Sequence, residues 1–194
     1  MRMVEVLTGI IIASFLLQIA IPGYTEALIF SPAKALTEPW RFVTSIFLHG
    51  GVGHIFFNLF ALIMFGGIVE NRIGSKEFLK LFFVAGIGGS ILYYLSIVMG
   101  IVPPLPALGA SGAIYGVMAA AAVFFPDLRV FVFFIPMLMR DALILWVVLE
   151  FFGVFNAASG IASAAHLGGI AVGYLYAKMF KKKELSNWWS YYGQ

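Results

Sequence analysis

The sequence predicts an all-α, polytopic membrane protein, a bundle of six transmembrane helices, and three observations carry that prediction. Of 194 residues, 62% are hydrophobic and only 11% charged, and the mean hydropathy is +0.99. One soluble core cannot absorb so much apolar surface, so the bilayer must solvate most of the chain. The apolar residues fall into runs that approach the length of about 20 residues needed to cross the hydrocarbon layer. Clusters of proline, glycine and asparagine separate the runs, and such residues punctuate helices.

The first run, Val6 to Ile21, stops at Pro22 and Gly23. Residues 1–21 are short, apolar and led by Arg2, as a signal peptide is, but Gly23, Tyr24 and Thr25 offer no small-x-small cleavage site. The run is therefore expected to remain as a crossing. Ile55 to Val69 is the second run, closed by Asn71 and Gly74; Phe78 to Met99 is the third, followed by Pro103, Pro104 and Pro106. Gly112 to Phe125 ends at Pro126, and Ala142 to Phe155 and Ala162 to Phe180 complete the set. No repeat or linker interrupts the chain, so residues 1–194 read as a single membrane domain with a short basic tail from about residue 181.

Two connections need their own reading. Pro22 to Gly53 carries Trp40, Arg41, Phe42 and Phe47, the mixture expected of a segment lying among lipid headgroups. Asp127 to Asp141 holds an apolar stretch, Val130 to Met139, broken by Pro136 and flanked by Arg129 and Arg140. It is too short to span and reads as interfacial.

Ten of the twelve basic residues fall on one side of this topology, leaving only Lys34 and Arg41 opposite. Both termini should then be cytoplasmic. Lys178, Lys181, Lys182 and Lys183 suit an anchor at the lipid surface. No basic and aromatic stripe accompanies them, so nucleic acid is not an expected partner. Cysteine is absent, which removes disulfides, thiol nucleophiles and thiolate metal sites. Three histidines without an HExxH motif or acidic ligands predict no metal site, and no cofactor is expected.

Function is read from polar side chains in apolar helices, where burial without a partner is costly. His54 and Asn58 share one face at the start of the second run, Ser111 opens the fourth, and His166 lies early in the sixth. Even-numbered crossings all run inward, so these four residues occupy one layer beneath the external face. Gly112 with Gly116, and Gly169 with Gly173, allow the fourth and sixth helices to approach closely. Singly, each residue has a plainer reading: a small packing residue for Ser111, a structural hydrogen bond for His54, Asn58 or His166. Together they supply a nucleophile, a base and two donors, the requirements of acyl transfer.

Five motifs follow in order: Trp40-Arg41, His54-Ile55-Phe56-Phe57-Asn58, Glu70-Asn71-Arg72, Gly109-Ala110-Ser111-Gly112 with Tyr115, and Ala165-His166-Leu167-Gly168-Gly169. In this order the sequence resembles the rhomboid family of intramembrane serine proteases, in its compact six-helix prokaryotic form. The resemblance implies that Ser111 attacks a peptide carbonyl and His166 acts as base, a dyad without an acidic third member. Tyr115 would stack on His166 in place of a carboxylate, and His54, Asn58 and the Ser111 backbone would meet the oxyanion.

Further expectations come with the resemblance. The substrates would be transmembrane proteins, reaching the site sideways from the lipid bilayer between the second and fifth crossings, with Phe57, Trp146 and Phe152 as gate residues. Glu70 and Arg72 would tie the inner end of the second helix to a neighbouring loop. Glu150 has no role in this reading beyond a position near the external interface. Two other classes are weighed: a pseudoenzyme that binds membrane clients, and a small proton-coupled transporter, which the missing internal repeat disfavours.

Overall fold

The computed structural model describes residues 2–132, 134–156 and 162–192, with the side chains of the last helix as far as residue 184. Its helices are α1 (Met3–Ala20), α2 (Tyr24–Leu28), α3 (Arg41–Thr44), α4 (Val52–Ile73), α5 (Ser75–Val98), α6 (Ser111–Phe124), α7 (Met139–Gly153) and α8 (Ser163–Tyr192). Of these, α1, α4 and α5 are each long and apolar enough to cross a membrane, and α6 is a shorter apolar helix. Large side chains such as Leu16, Phe56, Phe60 and Leu175 point outward. Hydrocarbon solvates such groups, and the chain is an integral membrane protein.

α6 is the centre of the bundle. Every residue from Gly112 to Val123 except Tyr115 is buried, the pattern of a helix that is apolar all round. Association between helices in lipid gains nothing from the hydrophobic effect and relies on close contact, which small residues permit. A Cβ added at Gly169 would overlap the Gly112 carbonyl oxygen, and one at Gly173 the Gly116 carbonyl oxygen. α5 packs against α8 in the same way, Gly89 lying over the Ala165 carbonyl, where a Cβ would come within 2.5 Å of the oxygen.

The helix bounds depart from the sequence reading in instructive places. α4 starts at Val52 and contains a π-helical turn at Leu62–Gly66. α8 continues to Tyr192, so the basic run Lys181 to Lys183 lies on a helix rather than on irregular chain. The stretch read as an interfacial segment forms an antiparallel hairpin, β1 (Arg129–Val132) with β2 (Ile135–Leu138), in which Val130 faces Met137 and Phe131 faces Pro136. A short apolar run does not distinguish strand from helix by periodicity, and β-branched Val130, Val132 and Ile135 favour the strand. With only two strands both are edges, so Pro136 is tolerated.

The loop between α1 and α4 is tied down by Arg41. Its buried guanidinium donates to Glu38 and to the carbonyls of Glu26 and Ile29, both at 2.8 Å, while neighbouring Trp40 is exposed. Glu70 and Arg72 bind helices, not the loop the sequence suggested. The buried Glu70 carboxylate accepts from the Met3 and Val4 amides at 2.6 and 3.0 Å and from the Ser75 hydroxyl, so it caps α1 and joins it to α4 and α5. Those amides are among the unpaired donors at a helix start, which favour a negative partner. Arg72 makes a two-pronged pair with Glu184 of α8 and lies over the Phe124 ring.

Glu70→Ala is expected to cost about 2–3 kcal/mol of stability, because two buried amides lose a charged acceptor. The half-exposed Arg72 pair should be worth at most about 1 kcal/mol. Thermal melting in detergent checks the order, and Arg72→Ala melting lower than Glu70→Ala would contradict it. A second expectation concerns His49, which is 2% exposed and packs edge-on against the His54 ring. Burial, and then neighbouring His54, lowers its pKa from 6.5 to about 4. The unfolded chain therefore binds an extra proton between these values, so this contribution to stability is complete above pH 6.5 and is lost as pH falls toward 4. His49→Leu should flatten the fall in melting temperature between pH 7 and pH 5; an identical fall in both proteins would exclude this origin.

Candidate active site

Ser111 begins α6, and the chain reaches it through Gly109, whose φ of +127° lies in the left-handed region. A Cβ at Gly109 would also lie 2.8 Å from the His54 ring, so glycine is required there on both counts. The preceding loop has its backbone satisfied by neighbours, as irregular chain at membrane depth requires. Phe30 and Ala107 exchange amide bonds, the Tyr93 hydroxyl donates to the Leu105 carbonyl, and the Gly109 amide donates to the Ser45 carbonyl at 2.9 Å.

Contact between α6 and α8 brings the Ser111 hydroxyl to 2.7 Å from Nε2 of His166. Tyr115, one turn along α6, stacks on the imidazole with ring centroids 4.5 Å apart and an interplanar angle of 22°. Ser111 and His166, with His54 and Asn58 of α4, line one cavity of about 710 Å³ bordered also by Gly50 and Gly51. The four polar residues of the sequence reading are thus gathered around one space.

Hydrogen bonds orient the α4 pair. His54 Nδ1 accepts the Gly50 amide at 3.2 Å, which leaves Nε2 to carry the proton of the neutral ring. Nε2 faces Gly109: a Cβ built there would sit 2.9 Å from Nε2 and 3.6 Å from the Ser111 hydroxyl oxygen. The His54 ring edge and the Ser111 hydroxyl therefore both border Gly109. Asn58 donates one amide hydrogen to the His54 carbonyl at 2.9 Å and has a second hydrogen to offer.

The resemblance implies a dyad without an acidic third member, with Tyr115 in place of a carboxylate; the structure places Glu150 of α7 directly behind the histidine. Its Oε1 is 3.0 Å from His166 Nδ1 and accepts the Tyr115 hydroxyl at 2.6 Å. Glu150 shares the buried face of α7 with Ala142 and Trp146, at four-residue spacing. A lone carboxylate in an apolar run is itself a functional signal; what the sequence lacked was the rotation of α7 that turns it toward α8.

The three residues expected at a gate differ in burial. Trp146 is 9% exposed and packs edge-on against Phe65 of α4, with centroids 5.9 Å apart, whereas Phe57 and Phe152 face outward. Among the described residues, no group of three or more His, Asp or Glu side chains is placed to hold a metal.

The profile described as "Rhomboid domain" matches residues 36–183. "Rhomboid protease GluP" of Bacillus subtilis is 34% identical over 158 residues, covering 79% of this chain and 29% of that protein. "RHOMBOID-like protein 6, mitochondrial" of Arabidopsis thaliana is 28% identical, covering 78% and 47%, and "Rhomboid protein 1, mitochondrial" of Saccharomyces cerevisiae is 31% identical, covering 76% and 43%. The chain spans less than half the length of each of these relatives. With that profile across most of its length, this chain belongs to the rhomboid family.

Proposed function

We propose that the chain is an intramembrane serine endopeptidase that hydrolyses peptide bonds in or near the transmembrane segments of other membrane proteins. The observation that carries this reading is the 2.7 Å contact between Ser111 and His166 at a cavity that His54 and Asn58 also line. Ser111 attacks the carbonyl carbon while His166 Nε2 takes the hydroxyl proton. The oxyanion is met by the Ser111 amide, by His54 Nε2–H and by Asn58, with the start of α6 adding a favourable dipole. His166 passes its proton to the leaving amine, and water from the cavity hydrolyses the acyl-enzyme.

In the same proposal α7 and the apolar part of α8 join α1, α4, α5 and α6 as crossings, six in all. Both termini are cytoplasmic and the cavity opens externally, in the plasma membrane of a prokaryote, as the bias of basic residues supports. Substrate helices arrive from the bilayer between α4 and α7, where the Trp146–Phe65 contact closes the gap. Neither nucleic acid nor metal takes part.

Reaction of the detergent-purified protein with a fluorescent fluorophosphonate tests the chemistry. Wild type should label, and Ser111→Ala and His166→Ala should lose labelling by about 10³-fold or more. Undiminished labelling of Ser111→Ala, or none of folded wild type, would overturn the reading, the second outcome favouring a client-binding protein. Trp146→Ala should raise cleavage of a transmembrane substrate severalfold and leave the labelling rate unchanged; cleavage no faster than wild type would remove Trp146 from the gate.

A further inference from the structure

We infer that Glu150 is a positioning residue for the proposed reaction, holding His166 from behind so that Ser111, His166 and Glu150 act as a three-membered chain. The inference rests on the protease reading and adds a residue to it. The geometry is that of a base with an orienting partner. Ser111 meets one ring nitrogen of His166 at 2.7 Å, and Glu150 meets the other at 3.0 Å.

The chemistry requires His166 Nε2 to present a lone pair to the Ser111 hydroxyl, so the resting proton must be on Nδ1. A carboxylate oxygen beside Nδ1 favours that tautomer. When Ser111 attacks, its hydroxyl proton moves to Nε2, the ring becomes an imidazolium, and Glu150 stays ionised as the counter-charge. At rest the Nδ1–H does not point into the carboxylate in hydrogen-bonding geometry. Catalytic hydrogen bonds are often loose before substrate binds and tighten when charge develops.

Two hydroxyls hold the carboxylate. Tyr115 stacks on the imidazole and donates its hydroxyl to Glu150, so one side chain sets both the ring plane and the oxygen beside it. Ser163, in the first turn of α8, is a further hydrogen-bond partner of the carboxylate. The two hydroxyls would be satisfied equally well by a neutral glutamine. A carboxylate with 8% of its surface exposed is costly among apolar helices, and its charge has a use only where a cation forms beside it.

The test uses the full chain in detergent and a fluorophosphonate probe, with the limiting labelling rate, the half-saturating probe concentration and the melting temperature measured together. Glu150→Gln keeps shape and acceptor but removes charge and offers an N–H to Nδ1. It is expected to lower the limiting rate at least about a hundredfold, with half-saturation and melting unchanged. Glu150→Asp keeps the charge one methylene further back and should fall between Glu150→Gln and wild type. Labelling of Glu150→Gln within about threefold of wild type would overturn the inference, and so would equal losses in both variants accompanied by lower melting, which mark a structural role. If Glu150→Gln does not fold, the Asp variant decides: as fast as wild type, it overturns the assignment. Wild type that shows no Ser111-dependent labelling removes the protease reading and this inference together, whereas normal labelling of Glu150→Gln removes this inference alone.

Discussion

The site depends on one close contact, the backbone of α8 lying against the backbone of α6 at Gly169 over Gly112 and Gly173 over Gly116. In lipid no hydrophobic force presses helices together, so their spacing is decided by the bulk of the side chains between them. Here there is none, and the Ser111 hydroxyl and the His166 ring, borne on different helices, come within hydrogen-bond distance. A methyl group at Gly169 would force the helices apart, and a displacement of about 1 Å at reacting groups can cost about 10²-fold in rate.

A second constraint is the treatment of polar groups inside an apolar bundle. Glu70 is engaged at the start of α1, and Arg41 with carbonyls of the loop between α1 and α4. Both are structural uses. Around Ser111 the arrangement differs: His54 has one nitrogen engaged by Gly50 and the other beside Gly109, and Asn58 donates one of its two amide hydrogens to the His54 carbonyl. Donor capacity that faces a cavity serves a molecule that is to be bound there.

The helical, membrane-embedded character of the chain and the order of its helices were legible because hydropathy and helix-breaking residues are local signals. Ser111, His166, His54 and Asn58 were legible as a group because topology gave them one depth and the glycine pairs indicated which helices meet. Glu150 was visible as an acid in an apolar run but had no partner until the rotation of α7 was known, and rotation is a tertiary property. The Arg72–Glu184 pair joins residues far apart in the chain, and the length of α8 hides beneath the polar composition of its end. The hairpin after α6 was missed because periodicity does not separate a short strand from a short helix.

The most direct test of the account is a crystal structure of the protein after reaction with a fluorophosphonate. The account predicts phosphorus bonded to the Ser111 hydroxyl oxygen, the phosphoryl oxygen within hydrogen-bond reach of the Ser111 amide and His54 Nε2, and Gly169 still seated on Gly112. An adduct at another residue, or a phosphoryl oxygen turned away from His54 with α6 and α8 drawn apart, would contradict it.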